Sequence, residues 1–262
     1  MTLDKEWALV LGVSSGMGRA AARGLATAGM NLVGVHLDTA AAQPGIDALT
    51  DELAGHGVEV HLVNGNAASA RTRGEVIARL TELAGDRGVR VVLHSLAFGS
   101  LVPYLPDDGT PGLTAKQMDM TLNVMAHSLV YWCQDLHGTG LLRDGAKVFA
   151  MTSEGATKVT ASYGAVSAAK SALESHVRQL AFELAPSGVA VNALCAGVTL
   201  TPALERIPEH ATIVEKARGR NPHGRLTTPE DVATALVGLA GLGTSWVTGN
   251  VLGVDGGESL RV

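Results

Sequence analysis

The sequence predicts an α/β fold with a seven-stranded parallel sheet and helices on both of its faces, and three observations predict it. Seven short apolar runs recur along the chain, with stretches of helical period between nearly all of them. Strand–helix alternation of this kind makes the strands parallel and covers both faces through right-handed crossovers. The composition suits such a sheet: 46% hydrophobic residues, 17% charged residues and 32 glycines exclude a disordered chain and supply strands buried on two faces. Finally, 262 residues suffice for one large core, and no Pro- or Ser-rich linker, charge block or repeat divides them. Residues 1–262 therefore read as a single domain.

The first strand, near 7–12, runs into Gly12-Val13-Ser14-Ser15-Gly16-Met17-Gly18 and a helix at 16–28. Glycines at these positions permit a sharp turn and let a pyrophosphate approach the backbone, with a helix N-terminus facing the anion. A glycine cluster alone is weak evidence; its place between a strand and an amphipathic helix makes it a dinucleotide cradle. The second strand, near 31–37, ends in His36-Leu37-Asp38, the slot that meets the adenosine ribose. An acid there accepts from a ribose 2′-hydroxyl and favours NADH, whereas a base pairs with the 2′-phosphate of NADPH. No Lys or Arg lies between Arg23 and Arg71, so the reading favours NADH, with NADPH left open through His36 or a swing of Arg19.

A helix near 44–55, a strand near 58–64 and a helix near 69–84 follow. The fourth strand, near 89–96, gives way to a loop at 98–113 with three prolines, then to a helix near 114–137. The fifth strand, near 146–152, releases Ser153 ahead of a helix near 161–185. A sixth strand near 188–195, helices near 203–219 and 229–240, and a last strand near 250–254 complete the alternation. Ligands of such sheets bind outside the carboxyl ends of the strands, where strand order reverses.

The chemistry gathers at the fifth strand end. Tyr163 and Lys170 are seven residues apart, which puts them within about 20° of each other on one helical stripe. Ser153, ten residues before Tyr163, is released toward the same place. A phenol, an ammonium and a hydroxyl converging there make a proton-donating site, with the ammonium expected to lower the phenol's pKa.

These landmarks carry a resemblance. Gly12-x-x-x-Gly16-x-Gly18, Asn66, Asn123-Val124, Ser153, Lys170, Val191-Asn192-Ala193, Ala196-Gly197 and Asp255-Gly256-Gly257 occur in the order of the short-chain dehydrogenase/reductase superfamily. The resemblance covers nearly the whole chain and implies a doubly wound Rossmann-type sheet in a homotetramer. Two departures narrow it. Most members place tyrosine four residues before the lysine, where this chain has Val166, and His94-Ser95-Leu96-Ala97-Phe98 replaces the usual Asn-Asn-Ala-Gly. Both features are similar to the enoyl-acyl carrier protein reductases, whose tyrosine precedes the lysine by seven.

A physical reason accompanies the displacement. In ketone reduction the carbon receiving hydride carries the oxygen that is protonated. In a conjugated thioester hydride goes to the β-carbon, and charge gathers on a carbonyl oxygen two atoms further on. Moving the phenol back three residues shifts it ~4.5 Å along a helix axis, about the offset the longer acceptor needs. The expected activity is NAD(P)H-dependent reduction of an enoyl thioester, carried on acyl carrier protein or coenzyme A. Reduction of a ketone or oxidation of a secondary alcohol is the alternative, and a cofactor-binding protein without turnover is the third reading.

The resemblance also implies roles. Tyr163 would donate to, or stabilise, the enolate oxygen, and Lys170 would bond both ribose hydroxyls. Asn123 would either position water leading to Lys170 or satisfy buried amides. Ser153 would bond the substrate carbonyl or merely end its strand, and Glu154 is expected to point to solvent. Ser14, Ser15 and Met17 join the glycines around the pyrophosphate, Asn66 and Ala67 flank adenine, and Ser95, Leu96 and Ala97 line the nicotinamide ribose. Gly197, Thr199 and Thr201 meet the carboxamide and phosphate. Residues 198–225 are expected to cover the substrate, with Leu204, Ile207 and Ile213 against an acyl chain, while Phe98, Gly99 and Tyr104 form the opposite wall. His94 reads as a strand-end histidine bonded to backbone.

The rest of the sequence excludes other classes. A net charge of −5 leaves no basic surface for nucleic acid. No apolar run is long enough to span a membrane, and the N-terminus lacks a signal-peptide pattern, so a cytoplasmic protein is expected. Cys133 and Cys195 have no metal-ligand spacing, and Cys195 reads as a small buried hydrophobe.

Overall fold

The computed structural model describes residues 3–107 and 109–261. Its elements run β1 (Trp7–Leu11), α1 (Gly16–Thr27), β2 (Asn31–His36), α2 (Gln43–Ala54), β3 (Val60–Asn64), α3 (Ala70–Ala84) and β4 (Val89–His94) in the first half. The second half follows as α4 (Ala115–Leu122), α5 (Ser128–Gly138), β5 (Leu142–Ser153), α6 (Gly164–Leu184), β6 (Ala190–Ala196), α7 (Pro202–Glu205), α8 (His210–Arg220), α9 (Pro229–Ala240) and β7 (Val251–Val254). All seven strands pair in parallel in the order β3-β2-β1-β4-β5-β6-β7. The order reverses between β1 and β4, which places a ligand crevice at their carboxyl ends.

Side-chain alternation along β1 shows how the core divides. Trp7, Leu9 and Leu11 enter one apolar layer with Val76 and Leu80 of α3, Leu129 and Trp132 of α5, and Leu173 and Val177 of α6. Ala8 and Val10 enter the opposite layer with Leu25 of α1, Leu49 and Leu53 of α2, and Leu236 of α9. Every β1 residue is buried, as a parallel strand covered by helices on both faces must be.

Three element boundaries differ from the sequence reading, each for a local reason. The helix expected at 114–137 is interrupted by a π-helical turn at Asn123–His127, which divides α4 from α5. Ser128 fixes this irregularity: its hydroxyl donates to the Val124 carbonyl at 2.8 Å and accepts from the buried His94 Nε2 at 2.7 Å. The helix expected from 161 begins at Gly164, because Ser162 is left-handed at φ 58° and Tyr163 is the N-cap. The segment expected as one helix at 203–219 is two, α7 and α8, with Thr201 capping the first through its side chain.

Candidate active site

Four strand ends form the floor of the site. Ser95 N–H donates to the Leu11 carbonyl at 2.9 Å, Gly12 N–H to the Val35 carbonyl at 2.8 Å and Gly65 N–H to the His36 carbonyl at 2.7 Å. The turns after β1, β2, β3 and β4 are thereby held side by side. Gly12 has φ 91°, and a Cβ there would meet the Ser95 carbonyl oxygen at 2.3 Å. A Cβ on Gly18 would meet the Gly12 carbonyl oxygen at 1.9 Å. These contacts pull α1 against the end of β1, so its first-turn N–H groups face the crevice. Ser15, the N-cap, makes no side-chain cap bond, leaving those donors available to an anion. Thr201 closes the cradle from the far side, 3.4 Å from a Cβ placed on Gly16.

The end of the crevice at β2 is acidic. His36 Nδ1 lies 2.9 Å from Asp38 Oδ2, and the Asn64 side chain brackets Asp38 by accepting from its N–H at 3.3 Å and donating to its carbonyl at 2.9 Å. Arg19 is drawn off toward Glu52, at 3.8 Å, with Arg23 on the same carboxylate. Asn66, exposed, uses its side-chain oxygen to accept from Ala68 N–H at 2.9 Å, and Ala67 is buried beside it. Thr199 is buried, its hydroxyl donating to the Gly197 carbonyl at 2.9 Å.

Lys170 is buried on α6 and donates from Nζ to the Met151 carbonyl at 2.6 Å. An ammonium has three N–H donors, so two remain for ligand hydroxyls. Burial pulls its pKa down to about 8, opposed by Glu174 and Cys195. Tyr163 stands beside Ser153 across Gly155, where a Cβ would lie 2.5 Å from the phenol ring and 3.3 Å from Ser153 Oγ. The Ser153 hydroxyl is buried without a hydrogen-bond partner among the described residues. It faces the phenol closely enough to favour its ionised form.

The expected lowering of the Tyr163 pKa by Lys170 is overturned. Burial raises it, Ser153 alone opposes the rise, and the Lys170 ammonium donates to Met151. A phenol with a raised pKa keeps its proton at neutral pH and is suited to donate it. Glu154 does not point to solvent either: its carboxylate takes Lys158 Nζ at 2.9 Å and Arg220 Nη2 at 3.2 Å, which neutralises the charge beside the phenol.

An apolar cluster adjoins the phenol. Met125, Val166 and Ala169 form a buried cluster, with Leu101, Leu122, Val124 and Tyr163 packed against it. Gly99 lies over this cluster: a Cβ there would meet Val166 Cγ2 at 2.7 Å, Thr121 Cγ2 at 2.9 Å and Met125 Sδ at 3.0 Å. Tyr104 lies on Gly164, beside Tyr163, with half its surface exposed, and Phe98 is similarly half-exposed. Leu204 and Ile207 are half-buried at α7 and do not enter the cluster. Ser95 and Leu96 are partly covered and Ala97 exposed at the end of β4. Asn123 sits at the start of the π turn and is half-buried, with no side-chain hydrogen bond among the described residues. A separate cavity of about 440 Å³ runs along the outer edge of β3, lined by Gln43, Asp47, His61 and Arg79. It reaches His36 and Asn64 but none of Ser153, Tyr163 and Lys170.

A family profile described as enoyl-(acyl carrier protein) reductase matches residues 12–259. The chain belongs to the short-chain dehydrogenase/reductase superfamily. It is 30% identical over 98% of its length, and 96% of the relative's, to a galactitol 2-dehydrogenase (L-tagatose-forming) of Cereibacter sphaeroides. It is 29% identical to the NADH enoyl-acyl-carrier-protein reductase of Aquifex aeolicus over 65% of this chain and 62% of that one. A crystal structure of an enoyl-acyl-carrier-protein reductase (NADH) from the same organism superposes with a TM-score of 0.85 at 23% identity, covering 100% of this chain and 99% of that one. This short-chain dehydrogenase/reductase is an oxidoreductase that takes a nicotinamide cofactor.

Sequence reasoning missed several residues around the superfamily's site. Thr121 and Met125, one helical turn apart, carried a faint signal; both face Gly99. Thr152, Glu174, Arg220 and Glu258 carried none, because their partners lie between 22 and 66 residues away in the chain.

Among the described residues no group of three or more His, Cys, Asp or Glu side chains could hold a metal ion. No helix among them is long and apolar enough to cross a membrane.

Proposed function

We propose that this chain reduces the trans-2 double bond of an enoyl thioester with NADH, with Tyr163 as the acid. The observation that carries the reading is Val166. The position from which most superfamily members present their tyrosine is 4% exposed and sealed by Gly99, Thr121 and Met125. Of the chain's three tyrosines, Tyr131 sits under Arg73 and Tyr104 covers Gly164, so Tyr163 is the phenol beside Ser153 and the end of β5.

A dihydronicotinamide supplies hydride for the β-carbon. Gly12, Ser14, Ser15, Gly16, Met17 and Gly18 seat its pyrophosphate, with Thr201 opposite. Asp38 accepts from the adenosine ribose, which favours NADH over NADPH because Arg19 is held by Glu52. Lys170 spends its two remaining donors on the nicotinamide ribose. Tyr163, its proton held by burial, donates to the thioester oxygen as negative charge gathers there. Ser153 offers the same oxygen a second donor, and Asn123 at the π turn positions water behind Lys170. The acyl chain lies against the cluster of Leu101, Leu122, Val124, Met125 and Val166, with Phe98 and Tyr104 beside it and residues 198–225 over it. The thioester is carried on acyl carrier protein or coenzyme A, and the enzyme works as a homotetramer of single-domain subunits.

One observation favours a second reading. The unpartnered Ser153 hydroxyl facing a protonated phenol is also a pair of donors for one carbonyl oxygen, which suits a ketone or secondary alcohol. Cofactor oxidation with crotonyl and longer trans-2-enoyl thioesters, against β-ketoacyl thioesters and secondary alcohols, separates the two. Turnover of enoyl thioesters that falls about 100-fold or more in Tyr163→Phe supports the first. Turnover of ketones alone replaces it with the second.

A further inference from the structure

We infer that Glu174 is a positioning residue for Lys170: tethered to Thr152, its carboxylate keeps the lysine in the ammonium form that can hold two ligand hydroxyls. The inference rests on the reading of Lys170 as the group that binds the nicotinamide ribose.

Glu174 lies one helical turn beyond Lys170 on α6, on the same stripe. Its Oε1 accepts from the Thr152 hydroxyl at 2.7 Å. Thr152 is buried, and it stands in β5 between Met151, whose carbonyl takes one Lys170 proton, and Ser153, whose hydroxyl faces Tyr163. One strand end and one helix turn are thus joined twice, by Lys170 to Met151 and by Thr152 to Glu174.

The geometry matters because Lys170 works at a disadvantage. A neutral amine has two N–H donors; with one fixed on Met151, a single donor would be left for two ribose hydroxyls. Burial drives Lys170 toward that neutral form near pH 8, within the working range of most enzymes. The groups facing it divide plainly. His94 on β4 is buried and neutral, its own pKa pushed down to about 3, and gives no counter-charge. Tyr163 on the loop before α6 holds its proton. Cys195 on β6 has its pKa pushed up to about 12, so its thiol stays neutral. Glu174 is the first of the groups that favour the ammonium, and the carboxylate that does so.

The test is the pH dependence of NADH binding, followed by cofactor fluorescence between pH 6 and 10, in the wild type, Glu174→Gln, Thr152→Val and Lys170→Met. Glu174→Gln keeps the acceptor for Thr152 and removes only the charge. The wild type should bind more weakly as pH rises through about 8. In Glu174→Gln the same fall should begin about one pH unit lower, with binding at pH 8 about fivefold weaker and at pH 6 unchanged within about twofold. Thr152→Val, which frees the carboxylate, should fall between the two. A Glu174→Gln profile superimposable on the wild type, or, if that variant does not fold, a Thr152→Val profile that is, overturns the inference. A wild-type profile with no alkaline fall, or one retained in Lys170→Met, overturns the reading of Lys170 beneath it.

Discussion

Arg220 Nη2, in the last turn of α8, lies 3.2 Å from Glu154 Oε2, in the turn after Ser153, and so ties the segment at 198–225 to the strand that carries the candidate acid's neighbour. The same nitrogen donates to Glu258 Oε1 at 2.8 Å, and Glu258 is 1% exposed. Glu258 Oε2 in turn accepts from Val198 N–H at 3.2 Å, at the start of that segment.

Removing Arg220 should therefore act on stability and on substrate capture together. Arg220→Ala leaves the buried Glu258 carboxylate without its cation, which should cost about 3 kcal/mol in urea unfolding. It also frees α8, which should raise KM for the acyl substrate about tenfold while NADH affinity stays within about twofold. Arg220→Lys restores the charge but not the planar fork and should recover part of each loss. Unchanged unfolding and KM in Arg220→Ala would show that the two ion pairs do not hold the segment down.

The cradle makes a steric prediction. Gly18→Ala would place a methyl 1.9 Å from the Gly12 carbonyl oxygen, a contact that backbone must move to relieve. NADH binding should fall at least tenfold, with a destabilisation of about 1–3 kcal/mol from overpacking. Gly45→Ala, inside α2 with open space around the new methyl, is the control and should stabilise by about 0.5–1 kcal/mol. Isothermal titration with NADH and thermal melts of both variants check the pair; equal NADH affinity in Gly18→Ala and wild type would remove the cradle from the binding site.

What the sequence made legible was whatever repeats on a short period. The seven strands and the face-to-face burial of β1 followed from apolar periodicity, and the Gly12–Gly18 turn from its place between strand and helix. The wall residue Val166 was legible as a departure from an expected tyrosine. The π turn was not, because it arises from the His94–Ser128–Val124 chain, which joins β4 to the turn across 34 residues. Nor was the state of Tyr163: helical spacing put Lys170 near the phenol but could not show its ammonium turned to Met151. Glu154 was expected to point to solvent: of its two partners Lys158 is four residues away, but Arg220, which turns it inward, is 66 away.

That buried His94 sets an acid limit. It is 0% exposed, donates from Nε2 to Ser128 and has no partner at Nδ1 among the described residues. Its pKa is pushed down to about 3 by burial first and by the Lys170 charge second. Between the ordinary value of 6.5 and about 3, the unfolded chain binds a proton there that the folded chain refuses. Stability from this group is complete above pH 6.5 and falls as pH drops through that window, by up to about 5 kcal/mol. His94→Gln lacks the titration, so urea midpoints of wild type and variant should converge between pH 6.5 and 4. Parallel midpoints over that range would assign the acid loss to carboxylates instead.

Restoring a tyrosine at position 166 is the sharpest way to separate ene chemistry from carbonyl chemistry. Val166 is 4% exposed, and its Cγ2 is 2.7 Å from where a Gly99 Cβ would be, so a phenol ring has no room unless the 98–113 loop withdraws. Val166→Tyr should cost about 1–3 kcal/mol from overpacking and push its ring past Met125, Leu122 and Leu101 into the space beside Tyr163. Adding Tyr163→Phe removes the native phenol. If an acyl chain lies against this cluster, Val166→Tyr should lower kcat/KM for crotonyl thioester at least tenfold, and the double variant should remain inactive on ketones because its ring fills the substrate's space. Ketone reduction that appears in the double variant, at a rate near the wild type's on enoyl thioesters, would show that the site was laid out for a carbonyl and that Tyr163 had been standing in for the missing acid.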